Sequence, residues 1–247
     1  MKEKPQIKVY EYKNNSFHMI AIIDDYIEVS TEDNLYECGS FTCSINLNLP
    51  KASIFKRGLF LDIDNNLYEI TSITDSIGSD GKGSQIRQIT GYDARNILKR
   101  RIVRSMNANG NFELTAKGEI WLRRVIEAQC GLSAEEKRRL PITNIIPSIE
   151  NAQGSVYALS VSYSNLYEVC KTIATQSGIG WKFIFNGESL NLVVYTGQDK
   201  SDTVRFSPDM DSLADGSYTD SSDSYASCVY VGGKGQNGEQ DIYEGEI

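Results

Sequence analysis

Between residues 38 and 49 the chain alternates without a break. Phe41, Cys43, Ile45, Leu47 and Leu49 fall on one side, and Thr42, Ser44, Asn46 and Asn48 on the other. A period of two sets one side against a core and the other in water, so this is a half-buried strand, and Pro50 stops it. Residues 7–12 and 17–23 read as two more strands joined by an Asn14-Asn15 turn, and residues 26–29 as a short one. Residues 59–63 and 67–74 flank Asp64-Asn65-Asn66, a hairpin turn, and a second hairpin is centred on residues 78–83. Six or seven short strands in the first ~90 residues predict a barrel or sandwich.

The period then changes. Residues 88–103 begin as the end of a strand, turn at Gly91 and offer Asp93 as a helix N-cap. A short helix follows with Ile97 and Leu98 on one face, closing in Lys99, Arg100, Arg101 and Arg104. Residues 106–111 form a polar loop. Thr115 is placed to cap a helix over residues 116–130, with Trp121, Val125 and Ala128 along one stripe, Leu122 and Ile126 beside it, and Gly131 as its stop. Residues 133–139 predict a turn or two of helix, and residues 141–154 read as irregular. Alternation returns over residues 156–163. Ser164 is placed to cap a second helix, where Leu166, Val169, Cys170 and Ile173 recur at helical spacing, and Gly178 ends it. Trp181, Phe183 and Phe185 alternate up to Asn186-Gly187, and Leu190, Leu192 and Val194 alternate back, which is a hairpin. A polar loop over residues 209–223, a strand over 227–231, a Gly-rich turn and a short last strand complete the chain.

With 247 residues, 40% of them hydrophobic, the chain is globular and long enough for one large or two small domains. No apolar run reaches the ~20 residues of a membrane helix, and the N-terminus enters strand-like alternation with no signal peptide. The five cysteines are scattered and read as buried free thiols. The net charge of −8 is uneven. From residue 199 onward eleven acids face three bases, whereas residues 95–139 hold eleven Lys or Arg against five Glu. An acidic total argues against sequence-specific, tightly held nucleic acid.

Four chemical constellations fail on spacing. Asp62-Ile63-Asp64-Asn65-Asn66 starts like a calcium loop, but Leu67 and Ile73 stand where the loop needs Gly and a bidentate Glu. Gly233, Gly235 and Gly238 match the dinucleotide fingerprint, yet no helix start followed by another strand comes after them. His18 is the single histidine, set between Phe17 and Met19 as a packing residue, so neither a histidine metal set nor a triad is marked. No pair of acids is marked for glycoside hydrolysis. No cofactor, metal ligand or catalytic residue is assigned.

Three places together resemble one family. They are Gly39-Ser40-Phe41-Thr42 opening the long alternating strand, residues 91–103 with their basic pair followed by Ile-Val, and a series over residues 163–233. That series holds Ser164-Asn165-Leu166, Ser177-Gly178-Ile179-Gly180, Tyr195-Thr196-Gly197-Gln198-Asp199, Val204-Arg205-Phe206-Ser207 and Val229-Tyr230-Val231-Gly232-Gly233. In this order they resemble the siphovirus Gp37-like tail proteins, the tail-tip or baseplate hub proteins of phages and prophages of Gram-positive hosts, which are similar to contractile-tail hubs. The resemblance implies an α+β, mainly β fold with two hub-type β-barrel or sandwich domains bracketing a helical segment. The spans are residues 1–103, 104–155 and 156–247. It implies a structural, non-enzymatic role in a homotrimeric ring that joins the tail tube, or distal tail protein, to a tip, spike, fibre or lysin. The location is the virion tail, assembled in the host cytoplasm.

Larger relatives carry C-terminal extensions that digest or bind the cell wall. This chain ends at Ile247 without one and is either a short form or a fragment. Under this reading Asp209, Asp211, Asp215, Asp220 and Asp223 belong to a lumen or inter-subunit loop, where like charge lets DNA slide. The competing readings are a tail-associated cell-wall hydrolase and a carbohydrate-binding module with Trp121 or Trp181 as a sugar platform. Core packing is the plainer role for both tryptophans.

Overall fold

The computed structural model describes residues 5–77, 85–104, 111–147, 150–205, 207, 220–222, 228–234 and 240–246. The chain divides into two compact units, Met1–Gly197 and Gln198–Ile247.

Seven strands open the first unit: β1 (Ile7–Lys13), β2 (Ser16–Ile23), β3 (Glu28–Glu32), β4 (Ser40–Asn46), β5 (Phe60–Ile63), β6 (Asn66–Ile77) and β7 (Gln85–Asp93). They form one antiparallel sheet in the order β2-β1-β5-β6-β7-β4-β3. The sheet is open, with β2 and β3 at its edges, and no sheet among the described residues closes into a barrel. This corrects the barrel expectation: alternation along a strand shows that one face is buried, but closure depends on which strand pairs with which.

Two of its turns follow from side-chain chemistry. Asn14 and Asn15, and Asp64 and Asn65, all hold positive φ between 52° and 63°. That is the two-residue turn whose twist matches paired strands, and Asn and Asp tolerate it better than other residues with a Cβ. The calcium-like motif is therefore a hairpin turn joining β5 to β6. Gly91 is needed for a different reason. It lies between Phe41 on β4 and Ile70 on β6, and a Cβ there would sit 1.8 Å from the Glu69 carbonyl oxygen.

After β7 comes a 3-10 turn, Ala94–Arg100, which buries Ile97 and Leu98 as expected. Then follow β8 (Phe112–Lys117), α1 (Gly118–Cys130), β9 (Ile142–Thr143), β10 (Val156–Val161), α2 (Leu166–Ser177), β11 (Gly180–Phe185) and β12 (Leu190–Tyr195). β8 pairs with β10, and β11, β12 and β9 form a three-stranded sheet. Two helix starts differ from expectation. Thr115 lies inside β8 opposite Ala158, so α1 begins at Gly118 without a side-chain cap. The cap of α2 is Asn165, whose side chain accepts from the N–H groups of Tyr167 and Glu168, while Ser164 bonds the Ser162 carbonyl. Gly178 ends α2 in the left-handed conformation.

The seven-stranded sheet is apolar on both faces. One face packs Ile7, Val9, Phe41, Cys43, Ile45, Leu61, Ile70 and Ile89 under Tyr26, Ala52 and Phe55. From the other face Tyr10, Phe17, Phe60 and Leu67 enter a larger core with α1, α2, β11 and β12. There the Phe185 ring lies 5.0 Å from Tyr10 and 5.1 Å from Phe17, centroid to centroid. Each fully buried Leu, Ile or Phe in such a core contributes about 1.5–3 kcal/mol. The larger core draws residues from both sides of positions 103 and 155. The second unit contributes an antiparallel hairpin, β13 (Cys228–Lys234) and β14 (Gln240–Glu246). A strand, not a helix, thus follows the glycine motif.

Candidate assembly surface

The junction at the end of β7 is built around Asp93 and Arg95. Asp93 caps the 3-10 turn through the Arg95 N–H at 2.9 Å, and its Oδ2 also accepts from the Gly39 N–H at 2.5 Å. The Arg95 side chain is fully buried. Its Nη2 donates to Asp93 Oδ2 at 2.6 Å, its Nη1 to the carbonyls of Asn34 and Trp181 at 3.0 and 2.8 Å, and its carbon Cζ lies 5.6 Å from the Trp181 ring centroid. A buried cation is tolerated when its donors are matched in this way. The loop between β3 and β4 is drawn in alongside. Trp181 Nε1 donates to the Tyr36 carbonyl, the Cys38 N–H donates to the Tyr167 hydroxyl, and Lys171 and Lys182 pair with Glu37 and Asp33. Burial raises the Tyr167 and Tyr68 hydroxyl pKa values, Tyr68 to about 12, so both remain hydrogen-bond donors at neutral pH.

This frame holds two unlike sheet edges. β3 is five residues long, carries Glu28 and Glu32, and is exposed at every position but Val29. Short length and like charge discourage strand addition. β2 is eight residues long and contains no Asp, Glu, Lys or Arg. Met19, Ile20 and Ile22 are 54%, 48% and 41% exposed. Ile20 is the extra residue where the register with β1 shifts at Val9/Tyr10, a bulge that re-aims the side chains around it. His18, expected to pack, is exposed opposite Glu11, because Phe17 takes the inward position beside it. The run Met19–Ile23 does not alternate, which is the pattern of a strand covered on both sides. Within the described residues only one side is covered. That pattern was the available signal for this edge, and the sequence reading passed over it.

The other candidates fall out as follows. Trp121 and Trp181 have no exposed surface; their indole N–H groups bond the carbonyls of Leu114 and Tyr36. Neither is a sugar platform. Among the described residues no group of three or more His, Cys, Asp or Glu is arranged to hold a metal, and no helix is long and apolar enough to cross a membrane. Asp220 is exposed, whereas Asp209, Asp211, Asp215 and Asp223 lie outside the described residues. Four cysteines, Cys38, Cys43, Cys130 and Cys170, are free thiols, and all but Cys38 are buried.

Comparison with known proteins gives one family and a set of folds. The family model described as "Siphovirus ReqiPepy6 Gp37-like protein" matches residues 6–245. A prophage tail protein, gp18 of Listeria monocytogenes EGD-e, is similar in structure with a TM-score of 0.51 at 11% identity, over 98% of this chain and 67% of that one. A tail protein from Neisseria meningitidis MC58 gives 0.42 at 14% identity, over 97% and 67%. The 43 kDa tail protein of prophage MuSo2 from Shewanella oneidensis gives 0.40 at 12% identity, over 79% and 56%. The chain thus spans 56–67% of the length of these structures. At 11% identity the likeness to the Listeria protein is one of fold. No curated protein sequence matches the chain.

Proposed function

The chain belongs to the siphovirus Gp37-like family of phage tail proteins, and on that premise we propose that it is a structural component of the tail hub. In this reading copies of the chain form a trimeric ring that joins the tail tube or distal tail protein to the tip, spike, fibre or lysin. The two β-rich spans, residues 1–103 and 156–247, correspond to the paired β-domains of such a hub. The role is architectural rather than catalytic, and the protein resides in the virion tail after assembly in the host cytoplasm.

The observation that carries the reading is the β2 edge. A strand with unpaired backbone groups and exposed Met19, Ile20 and Ile22 is an aggregation hazard unless another chain covers it. A tail subunit meets that condition, because it works only when packed against neighbours. The acidic residues Asp209, Asp211, Asp215, Asp220 and Asp223 are assigned to the lumen or to a boundary between subunits, where they repel the phosphates of passing DNA.

Mass measurement by light scattering over a concentration series tests the first part. The wild-type chain is expected to move from monomer toward trimer as concentration rises, and the double substitution Ile20→Lys, Ile22→Lys to stay monomeric. Equal association of both proteins would remove β2 from the contact. A cryo-EM map of the particle with the five aspartates on its outer wall would sink their assignment.

A further inference from the structure

A pocket of about 300 Å³ opens at the junction, walled by Tyr12 of β1, Phe17 of β2, Phe60 of β5, Ile97 of the 3-10 turn, and Leu140 and Leu190. The three aromatic rings form one cluster, with centroids 4.8 Å apart for Tyr12 and Phe17 and 5.4 Å apart for Phe17 and Phe60. Three charged groups line the same space: Glu69, Arg100 and Arg101. Glu69 is buried and already engaged, paired to Arg100 and accepting from Asn96 Nδ2 at 3.0 Å. Arg101 is half-buried, and its guanidinium, open to the solvent of the pocket, has no hydrogen-bond or carboxylate partner among the described residues. Its backbone is committed, donating to the Leu98 carbonyl and accepting from the Leu166 N–H. The pocket therefore holds one positive charge without a protein partner beside a wall of aromatic and aliphatic side chains.

A guanidinium that faces a pocket and is committed to no protein acceptor is free to take one from a ligand. Its planar fork matches a carboxylate through two parallel bonds. The aromatic and aliphatic side of the pocket fits a ring or branched chain, and the volume suits a small group. We propose that this pocket binds an apolar carboxylate, the acid group held by Arg101 and an aromatic or branched aliphatic body seated among Tyr12, Phe17 and Phe60. Burial keeps the Tyr12 hydroxyl protonated. In this state that hydroxyl donates to Asn15 Oδ1 at 3.3 Å, and it becomes a second donor to the ligand only by turning away from Asn15. The carboxylate could be supplied by a free small acid or by the chain end of another polypeptide. The inference does not rest on the hub reading.

The test uses the full chain and isothermal titration with 3-phenylpropionate, its amide 3-phenylpropionamide, and the tripeptide Gly-Gly-Phe with a free carboxylate. The acid is expected to bind with Kd in the low millimolar range or tighter, as a small ligand of this size allows. The amide is expected to bind at least about tenfold weaker, the loss that follows from removing a charge-assisted pair. Arg101→Gln is expected to weaken the acid to the level of the amide, with Arg101→Lys intermediate. Gly-Gly-Phe binding as well as the free acid identifies a chain end as the ligand; binding of the free acid alone identifies a small molecule. Equal binding of acid and amide to the wild-type chain overturns the proposal and needs no variant to fold. So does an Arg101→Gln protein of native circular dichroism that binds as wild type, or no binding of either carboxylate up to about 10 mM.

Discussion

Arg95 and Arg101 stand six residues apart on the same junction and look alike in the sequence. One is sealed. Arg95 has no exposed side-chain surface and donates to Asp93, Asn34 and Trp181. The other is half-buried without an acceptor among the described residues. The first charge holds distant segments together through matched geometry. The second makes no side-chain hydrogen bond or ion pair among the described residues and lines a pocket. Basic residues in a cluster thus have separate physical fates, and partners, not spacing, decide which is structural.

The contrast can be broken from either side. Arg95→Met strips Asp93 and two carbonyls of their donor and is expected to destabilise by about 3–5 kcal/mol, the cost of opening a buried pair. Urea unfolding followed by tryptophan fluorescence measures it, and a loss below about 1 kcal/mol would end the claim that this ion pair is structural. Glu69→Gln is expected to cost about 1–3 kcal/mol in the same assay, since it removes the charge that engages Arg100 and leaves a second idle guanidinium beside the pocket. Arg101→Met is expected to change stability by no more than about 0.5 kcal/mol, or to raise it slightly, because its side chain makes no hydrogen bond or ion pair among the described residues.

The smallest effect concerns Cys130. Burial pushes its thiol up to about 11, and the opposing pull of Arg101 does not offset this. Iodoacetamide at pH 8 is therefore expected to label Cys130 roughly a hundredfold more slowly in the folded chain than in urea, as the smaller thiolate fraction requires. The same burial raises Cys43 to about 12 and Cys38 to about 11 from an ordinary 9.0. Folding thus favours the protonated thiols. Their contribution to stability is full below pH 9 and is lost as pH rises from 9 toward 12. The urea midpoint is expected to fall across that window.

Much of this was legible from local patterns. The alternation of β4, the Asn14-Asn15 and Asp64-Asn65 turns, the Asp93 cap, the apolar stripe of α2 and the hairpin at Asn186-Gly187 each depend on residues within one turn or strand of each other. Thr115 misled because a six-residue strand runs straight into α1, and Phe112, Leu114 and Ala116 fit either period. Ser164 and Asn165 are both good caps side by side, and Asn165 is held in the capping place by contacts far along the chain: its Nδ2 reaches the Lys99 carbonyl, and the Val103 N–H bonds the Ser164 carbonyl. Arg95 and the idle Arg101 were not legible, because each is defined by what lies, or does not lie, across a long sequence separation. The β2 edge did leave a local trace, the unalternating run Met19–Ile23. Among the candidate aspartates only Asp220 falls within the described residues, so the acidic loop rests where composition left it.

The bond from Arg95 to Trp181 also imposes an order on synthesis. A ribosome releases the seven strands of the large sheet first, yet one acceptor of their buried cation lies 86 residues further along the chain. Until Trp181 emerges, the arginine has Asp93 and Asn34 but lacks that carbonyl, the Tyr36 carbonyl lacks its indole donor, and the aromatic face of the sheet stays bare. The nascent N-terminal portion must therefore pass through a stage of exposed apolar surface. That is the interval in which chaperones are most needed and in which truncated products would aggregate rather than persist.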